Sequence, residues 1–561
     1  MRRVAQCLAG SELGSIAKFR FRRFLRRIRP FLPARPDWAR IRQASGDAFP
    51  GVGEAGARVL VATGTGSHWS MSGFESVLAA ALRLRGHHVE VLLCDGVLPA
   101  CQECDLGLFP GRRLLAEGAG PLCGTCFAPA SRMFGELDVP VRTYGEYLSS
   151  ADRQEIGALV EATLDADIPR VSWKGVPVGE HAVAGALRFY GRGSLDGEPF
   201  GNDVARQYLR AAMYTAAVIA RLLSEHRYDV AVFHHGIYVP QGAVGDVCRQ
   251  RGVRVVNWSP AYRDRSYLFS HGDSYHKTMI DEPTEQWSGF EWSKEKAAKL
   301  LAYLESRRSG GNDWISFQRQ GEGEAAKLLK ELQIAPTRPV VGLLTNVMWD
   351  AQLHFRANAF ASMLDWLLFT IDHFARRPDV ELIIRVHPAE VLGTVKSRQR
   401  VEDEIRSRWR ELPANIHVVG PDDPKNTYTL MGACDTVLVY GTKMAIELPC
   451  WGIPVVIAGE AWARGKGFTT DVSSAAEYEA ILSRLPSGRR LADEIVERAR
   501  VYAYHLFFRR MIPVKFARKH RYLVPFAYEV SSLAALAPGA DPGLDVICDG
   551  VLSGSPFVFE S

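Results

Sequence analysis

The 561-residue chain lacks several features, and each absence narrows its class. No apolar run approaches 20 residues, which argues against a membrane-spanning helix. The first residues have neither the apolar core nor the small-residue cleavage site of a signal peptide. Ten cysteines in a chain of this length are not the pattern of a disulfide-stabilised secreted domain. We therefore expect a cytoplasmic protein.

The chain has the composition of an ordinary globular protein, with 47% hydrophobic and 23% charged residues. The chain is too long for a single core, so two domains with appended segments are expected. A net charge of +5 is a mild excess that indicates no particular partner, and we expect no nucleic acid.

The basic excess is concentrated near the start, in "SIAKFRFRRFLRRIRPFLP". Seven Lys or Arg lie between Lys18 and Arg29, while phenylalanines and aliphatic residues recur at helical spacing. This pattern predicts that residues 14–32 bind an anionic membrane surface, peripherally at the inner face of the membrane. The alternative is a helix docked on its own protein, with its arginines facing water. Prolines that follow this stretch end the predicted helix. Residues 1–56 are therefore predicted to be a basic amphipathic extension.

Two α/β domains follow. "ARVLVATGTG", "FESVLAAALRLRG" and "HVEVLLCDG" form a strand–helix–strand pattern that repeats at "YDVAVFHHG". A second series starts at "RPVVGLLTN". The predicted fold class is α/β, with two Rossmann-like domains facing a cleft. The boundaries are 57–285 for the first domain, 286–338 for a helical linker, 339–510 for the second domain and 511–561 for a tail.

Candidate ligand-binding residues end strands of the second domain. "RVHP" supplies Arg385, His387 and Pro388. These residues suit an anionic ligand because the side chains of Arg385 and His387 donate hydrogen bonds and Pro388 stiffens the turn. "YGTKMAIELPC" supplies Gly441, Thr442, Lys443 and Glu447; "GKG" supplies Lys466 and permits close backbone approach. Taken separately, Thr442 would be only a helix cap and Glu447 only a partner of Lys443.

These motifs, in this order, resemble the C-terminal half of bacterial capsule and surface-polysaccharide biosynthesis proteins. Those proteins are glycosyltransferases of the two-Rossmann GT-B architecture, and the likeness extends over roughly residues 57–510. It implies a nucleotide-sugar donor on the C-terminal domain and a polysaccharide or glycolipid acceptor on the N-terminal one. His387 and Pro388 are similar to the pair that contacts cytidine nucleotides in sialyl- and Kdo-transferases, which makes a CMP-sugar a candidate donor. Thr442 matches the hydroxyl position and Glu447 the ribose-binding acid.

The chemistry needs donors around the departing phosphate and a base for the acceptor hydroxyl. We see no Asp-x-Asp pair in the form used for magnesium-dependent transfer, so we expect metal-independent transfer. His68, Glu75 and His235 are the candidate bases, with His234 next to His235 as a further candidate. A nucleotide-sugar epimerase of the same fold and a non-catalytic polysaccharide-assembly factor remain alternative functions.

Two C-x2-C pairs, separated by eighteen residues, are the remaining motif. Cys101, Cys104, Cys123 and Cys126 have the spacing of a zinc ribbon, so we predict one structural zinc ion. Alternatives are an iron–sulfur cluster, with Cys94 as a substitute ligand, and ordinary buried thiols.

Overall fold

A computed structural model describes residues 35–46, 49–50, 56–107, 109–311, 313–315, 324–350, 359–519 and 526–560. The predicted membrane-binding segment, residues 14–32, lies outside this part of the chain. The described residues form two compact units, and each is an α/β structure.

The strands, numbered in chain order, are β1 Arg58–Gly64, β2 His88–Leu93, β3 Val141–Thr143, β4 Val230–His234, β5 Arg254–Pro260, β6 Ser266–His271, β7 Val340–Leu344, β8 Glu381–Arg385, β9 Ile416–Val419, β10 Thr436–Val439, β11 Val455–Ile457, β12 Thr470–Asp471, β13 Ile512–Pro513, β14 Ala517–Lys519 and β15 Phe526–Tyr528.

The α-helices are α1 Trp38–Ala44, α2 Trp69–Leu84, α3 Gly111–Glu117, α4 Gly120–Cys123, α5 Phe127–Glu136, α6 Tyr144–Tyr147, α7 Ser150–Ala162, α8 Val178–Tyr190, α9 Gly201–Glu225, α10 Gln241–Gln250, α11 Tyr275–Ile280, α12 Thr284–Ser288, α13 Lys294–Arg308, α14 Ala325–Glu331, α15 Met363–Ala375, α16 Ala389–Leu392, α17 Val401–Arg408, α18 Thr427–Gly432, α19 Met444–Glu447, α20 Ala475–Leu482, α21 Asp493–Tyr504 and α22 Pro542–Ser553. A π-helical turn, His505–Arg510, follows α21.

The first unit contains the described residues up to Tyr190, together with Ser194–Tyr275 and Ile512–Phe559. Its sheet has the order β13-β6-β5-β4-β1-β2-β3, parallel from β5 to β3 and antiparallel at β6 and β13. Apolar side chains of β1, β4 and the long helix α9 fill its core. The described residues between Ile512 and Phe559 return to this unit, where β13 pairs with β6 and α22 packs on α2.

The second unit contains Gly191–Gly193, His276–Met511 and the described residue Glu560. Its sheet has the order β12-β11-β10-β7-β8-β9, and each strand runs parallel to its neighbours. The central strands β7, β8 and β10 are buried along their whole length, which explains their nearly continuous runs of Val, Leu and Ile. The two-domain α/β prediction is confirmed.

Both sheets contain a point where the order of strands reverses. In the first unit the chain adds β2 and β3 on one side of β1, and β4 and β5 on the other. In the second unit it adds β8 and β9 on one side of β7, and β10 and β11 on the other. Ligands of open α/β sheets bind beyond the carboxyl ends of the strands at such a switch point. A ligand of the first sheet would therefore meet the side chains that follow β1 and β4. A ligand of the second sheet would meet those that follow β7, β8 and β10.

Candidate functional site

A pocket lies at the switch point of the second sheet. Counted to its open mouth, it encloses about 680 Å³. Thr345 follows β7, Arg385 ends β8 with His387 just beyond it, and Thr442 and Lys443 follow β10. Three strand ends thus bring together residues that are far apart in the sequence. The pocket's lining also includes Pro388, Tyr428, Arg307 and Asp313.

Arg385 supplies a buried positive charge to this pocket. Its side chain donates through Nε to Thr427 Oγ1 at 3.1 Å, and through its terminal nitrogens to the carbonyl oxygens of Gly420 and Asp423. These acceptors are neutral, so the hydrogen bonds fix the guanidinium without cancelling its charge. Only 5% of the residue is exposed, and burial lowers its pKa. An anion in the pocket would therefore meet a fixed cation in a poorly hydrated site.

His387 is a neutral imidazole with an assignable tautomer. The backbone N–H of Ala389 donates to His387 Nδ1 at 3.1 Å, so the ring proton lies on Nε2. Burial, with the nearby Lys443 and Arg385 charges, lowers the pKa of His387 to about 4. The His387 backbone N–H donates to Thr345 Oγ1 at 3.0 Å, which ties the ends of β7 and β8 together. His387 therefore acts as a hydrogen-bond donor through Nε2 rather than as a cation.

Lys443 and its neighbours occupy the turn after β10. Burial and the charge of Arg307 lower the pKa of Lys443 to about 8. Thr442 Oγ1 accepts a 3.4 Å hydrogen bond from the backbone N–H of Met444. At Gly441 an added Cβ would lie 2.4 Å from the Glu460 carbonyl oxygen, so only glycine allows this close chain crossing. The turn thus brings a hydroxyl and an ammonium to the pocket.

Glu447 lies behind the pocket wall. It is 1% exposed, and its Oε2 accepts from Arg307 Nε at 3.1 Å and from the Tyr428 hydroxyl at 2.7 Å. Its Oε1 is buried and has no hydrogen-bond partner among the described residues. One carboxylate oxygen is therefore anchored, while the other still requires a donor.

Arg307 and Asp313 are pocket residues that the sequence patterns do not reveal. They come from the end of α13 and the segment beyond it, within the stretch predicted to be a linker. From its composition, "SRRSGGND" indicates only a break between helices. Two adjacent arginines before a glycine pair are the one available signal.

Lys466 lies apart from the other predicted ligand-binding residues and is not among the described residues that line this pocket. Its ammonium donates to the carbonyl oxygens of Ile280 and Glu282, at 2.8 and 2.6 Å. In this structure the lysine of the Gly-Lys-Gly step stabilises the end of α11, and the residue is 3% exposed.

The first unit gathers the three predicted catalytic residues at its own switch point. His68 follows β1 and precedes α2, His234 ends β4, and the His68 and His234 ring centroids are 5.6 Å apart. His235 comes next, 5.5 Å from His234 between centroids, with a left-handed φ of 65°. Strained backbone of this kind concentrates at functional positions. Both His68 and His235 are half-buried.

Glu75 supports this cluster from inside the core. Its Oε1 accepts from Trp258 Nε1 at 3.1 Å, and the Trp258 ring lies 5.1 Å from that of His234. Glu75 is 1% exposed, and burial raises its pKa to about 7. Burial, with the His235 and His68 rings, holds the pKa of His234 well below its usual range. His234 is therefore neutral near pH 7, and Glu75 titrates there.

The five cysteines between Cys94 and Cys126 do not support the predicted zinc site. Among the described residues no group of three or more His, Cys, Asp or Glu is arranged to hold a metal ion. Cys123 Sγ donates to Ala119 O, and Cys126 Sγ accepts from Ser67 N–H, each at 3.3 Å, while Cys101 and Cys104 hydrogen-bond to each other. Burial raises the pKa of Cys123 to about 12 and of Cys126 to about 11.

The helices within the described ranges include none that is long and apolar enough to cross a bilayer.

Comparison with known proteins adds a family resemblance. Residues 295–496, less than half of the chain, match a family model described as capsule polysaccharide biosynthesis protein. This stretch holds Arg307, Arg385, His387 and Lys443. The predicted resemblance to capsule polysaccharide biosynthesis proteins is confirmed there. No curated protein sequence matches the chain.

Similar solved structures share low identity with the chain. The Thermosulfurimonas dismutans KpsC β-Kdo 2,4-transferase is 15% identical, with 49% of this chain and 79% of that chain covered and a TM-score of 0.34. The calicheamicin glycosyltransferase CalG4 is 13% identical, with 81% and 94% covered and a TM-score of 0.26. The Neisseria meningitidis UDP-GlcNAc 2-epimerase is 11% identical, with 80% and 95% covered and a TM-score of 0.24.

Proposed function

We propose that this protein is a glycosyltransferase of polysaccharide synthesis, which moves a sugar from a nucleotide-sugar donor to a polysaccharide or glycolipid acceptor. The observation that carries the proposal is the pocket at the switch point of the second sheet. It combines Arg385, Lys443 and the Nε2–H of His387, all donors, at the place where α/β sheets bind nucleotides. The matched family over residues 295–496 supports the polysaccharide context.

The proposed reaction breaks the bond between the sugar and the phosphate of the donor. Negative charge grows on the departing phosphate, and donors already fixed in place stabilise that charge without reorganising. Arg385 is fixed by its bonds to neutral acceptors, and Lys443 carries a proton at pH 7, below its pKa of about 8. Transfer by these groups would not require a metal ion.

Glu447 is 1% exposed and does not line the pocket, so we propose that it binds the ribose of the donor through Oε1 once the pocket wall has rearranged. The anchored Oε2 fixes the carboxylate, and the buried Oε1 gains the donor it lacks when a ribose hydroxyl arrives. Cytidine is the first base to test, because His387 and Pro388 resemble the pair that binds cytidine nucleotides.

The first unit is proposed to bind the acceptor, with His68 or His235 as the general base. Both are half-buried and can meet a hydroxyl, whereas Glu75 is too deeply buried to touch an acceptor in this structure. Glu75 would then act as a positioning residue, through Trp258 and the ring of His234.

The direct test is incubation of the purified protein with cytidine, uridine, guanosine and thymidine sugar nucleotides. Hydrolysis of one donor, or its transfer to a capsular oligosaccharide, supports the transferase. Inversion at C2 of an intact sugar nucleotide would identify an epimerase. No consumption of any donor, together with no nucleotide binding, would favour an assembly factor without catalysis.

The basic residues 14–32 are proposed to bind anionic membrane. Deleting them should abolish salt-sensitive co-sedimentation with phosphatidylglycerol vesicles while leaving the melting temperature unchanged. Equal co-sedimentation of the full chain and the truncated chain would contradict this.

A further inference from the structure

Arg307 is held in the pocket wall by contacts on two sides of its guanidinium. Its Nε donates to Glu447 Oε2 at 3.1 Å. Its Nη1 donates to the Tyr303 hydroxyl at 3.2 Å and to Asp313 Oδ2. The ring centroid of Phe507 lies 5.3 Å from the guanidinium carbon, and that of Tyr303 5.7 Å. Since the residue is only 7% exposed, the plane of the guanidinium is set by its surroundings.

The hydrogen bonds of Arg307 to described residues use Nε and Nη1 and leave the remaining terminal nitrogen, Nη2, without one, although the side chain also interacts with the Tyr428 hydroxyl. Some buried nitrogen and oxygen atoms of the described residues lack a hydrogen-bond partner, and Nη2 is not one of them. Arg307 lines the pocket together with Arg385, His387 and Lys443. Nη2 is therefore the nitrogen of Arg307 that a ligand in the pocket can still accept a hydrogen bond from.

The two carboxylates explain why such an arginine is tolerated so deep in the unit. A buried arginine without partners would be strongly destabilising, whereas Glu447 and Asp313 both offset its charge. The carboxylates also fix the direction of the free N–H. When hydrogen bonds hold a planar guanidinium on two sides, its remaining N–H groups point in a fixed direction. The ammonium of a lysine is flexible and has no such fixed direction.

We propose that Arg307 is a specificity-determining residue of this pocket, which donates from Nη2 to a phosphate oxygen of the nucleotide, with Glu447 and Asp313 as positioning residues. The inference rests on the proposed function, because it takes the ligand to be a nucleotide. It adds a phosphate contact from α13, outside the strand-end motifs.

The test compares Arg307→Lys with Arg308→Lys. Arg308 is the next residue along the chain, but its side chain is 37% exposed and pairs with Glu305. Calorimetry would measure the binding of cytidine, uridine, guanosine and thymidine 5′-monophosphates and of the four matching nucleosides. Both variants keep a positive charge, so a difference between them reports the geometry of the guanidinium rather than charge alone.

We expect Arg307→Lys to weaken binding of the preferred nucleotide about tenfold, the scale of one hydrogen bond to a charged group. Binding of the matching nucleoside should change less than about twofold, because it has no phosphate. Arg308→Lys should match wild type for both. Asp313→Asn, which keeps the shape of the side chain, should give a smaller loss, again for the nucleotide only.

Two results would overturn the inference. Equal nucleotide affinity of wild type and folded Arg307→Lys would show that Nη2 does not touch the phosphate. Equal losses for nucleotide and nucleoside, accompanied by a lower melting temperature, would show that Arg307 only supports the fold. If wild type binds none of the nucleotides, the proposed function fails first, and this inference falls with it.

Discussion

The two units place titratable side chains at the same topological position, the switch point of the sheet, but surround them with different partners. At the switch point of the second sheet, Arg385 and Lys443 carry charge. At that of the first sheet, His234 is neutral near pH 7, and Glu75, whose pKa is about 7, is half protonated. Position in an α/β fold thus indicates where a site lies, while the local partners determine what it can bind.

The physical cause of the difference is the supply of partners. In the second unit, backbone carbonyls and two carboxylates surround the arginines and solvate them in place of water. In the first unit, Glu75 is surrounded by neutral donors, namely Thr63, Trp258 and the His234 backbone, and burial outweighs them, while aromatic rings surround His234. A cationic pocket suits a phosphate, whereas an imidazole in its neutral form suits the removal of a proton from a hydroxyl.

The largest effect is expected from Glu75→Gln in the first unit. The pKa of Glu75 is about 7 in the folded chain, against 4.5 for an unperturbed glutamate, so the folded state binds the proton more tightly. Folding stability should therefore fall by about 3 kcal/mol as the pH rises from 4.5 to 7, and Glu75→Gln should remove that fall. Chemical denaturation of both proteins at about pH 5 and about pH 8 measures it. A wild-type pH dependence identical to that of the variant would mean that Glu75 is ionised in the fold.

A smaller effect is expected at Lys443. Replacement by Met should weaken nucleotide binding about tenfold at pH 7, because one charged donor is lost. The affinity of wild type should also decline as the pH rises through about 8, where Lys443 loses its proton. Lys443→Arg serves as the control, since arginine stays charged and should remove this pH dependence. Calorimetry from about pH 6.5 to 9.5 would show the decline, and a flat wild-type profile would count against it.

Thr442 should contribute less than Lys443. Thr442→Val removes a neutral hydroxyl and should weaken nucleotide binding about threefold, whereas Thr442→Ser should keep the affinity of wild type. The two variants are nearly the same size, so their difference measures the hydroxyl. If both bind like wild type, the hydroxyl only caps the backbone at Met444.

No titration at all is expected for His387. Its pKa of about 4 predicts that the ring stays neutral between about pH 5 and 8, with the proton on Nε2. Imidazole ¹⁵N NMR of the free protein would show this tautomer, and His387→Asn would identify the signal. A midpoint near the ordinary value of about 6.5 would place His387 among the cations and reduce the contrast with the first unit.

The sequence alone was sufficient to predict the position of the pocket residues that directly follow a strand. "RVHP" and "YGTK" each follow a buried run of β-branched and aliphatic residues, so their place beyond a strand could be predicted locally. Their meeting in one pocket required only the rule that parallel strands end at one edge.

Contacts between distant segments were not predictable in this way. Arg307 meets Glu447 across 140 residues, and no periodicity in α13 marks one arginine as buried. For Lys466, the glycine neighbours predict a ligand loop, and the sequence does not show that its ammonium donates to two carbonyl oxygens of the protein. The return of the described residues between Ile512 and Phe559 to the first unit begins with β13, a strand of two residues that is too short to have a pattern.

The central claim is that the pocket of the second unit binds the phosphate of a nucleotide, and a crystal structure with a bound nucleoside 5′-monophosphate tests it most directly. The account predicts that phosphate oxygens lie within about 3.2 Å of Lys443 Nζ and Arg307 Nη2. It also predicts that a ribose hydroxyl bonds to Glu447 Oε1. A nucleotide bound with its phosphate beyond the reach of Lys443 and Arg307, or bound at His68 and His234 in the first unit, would contradict it.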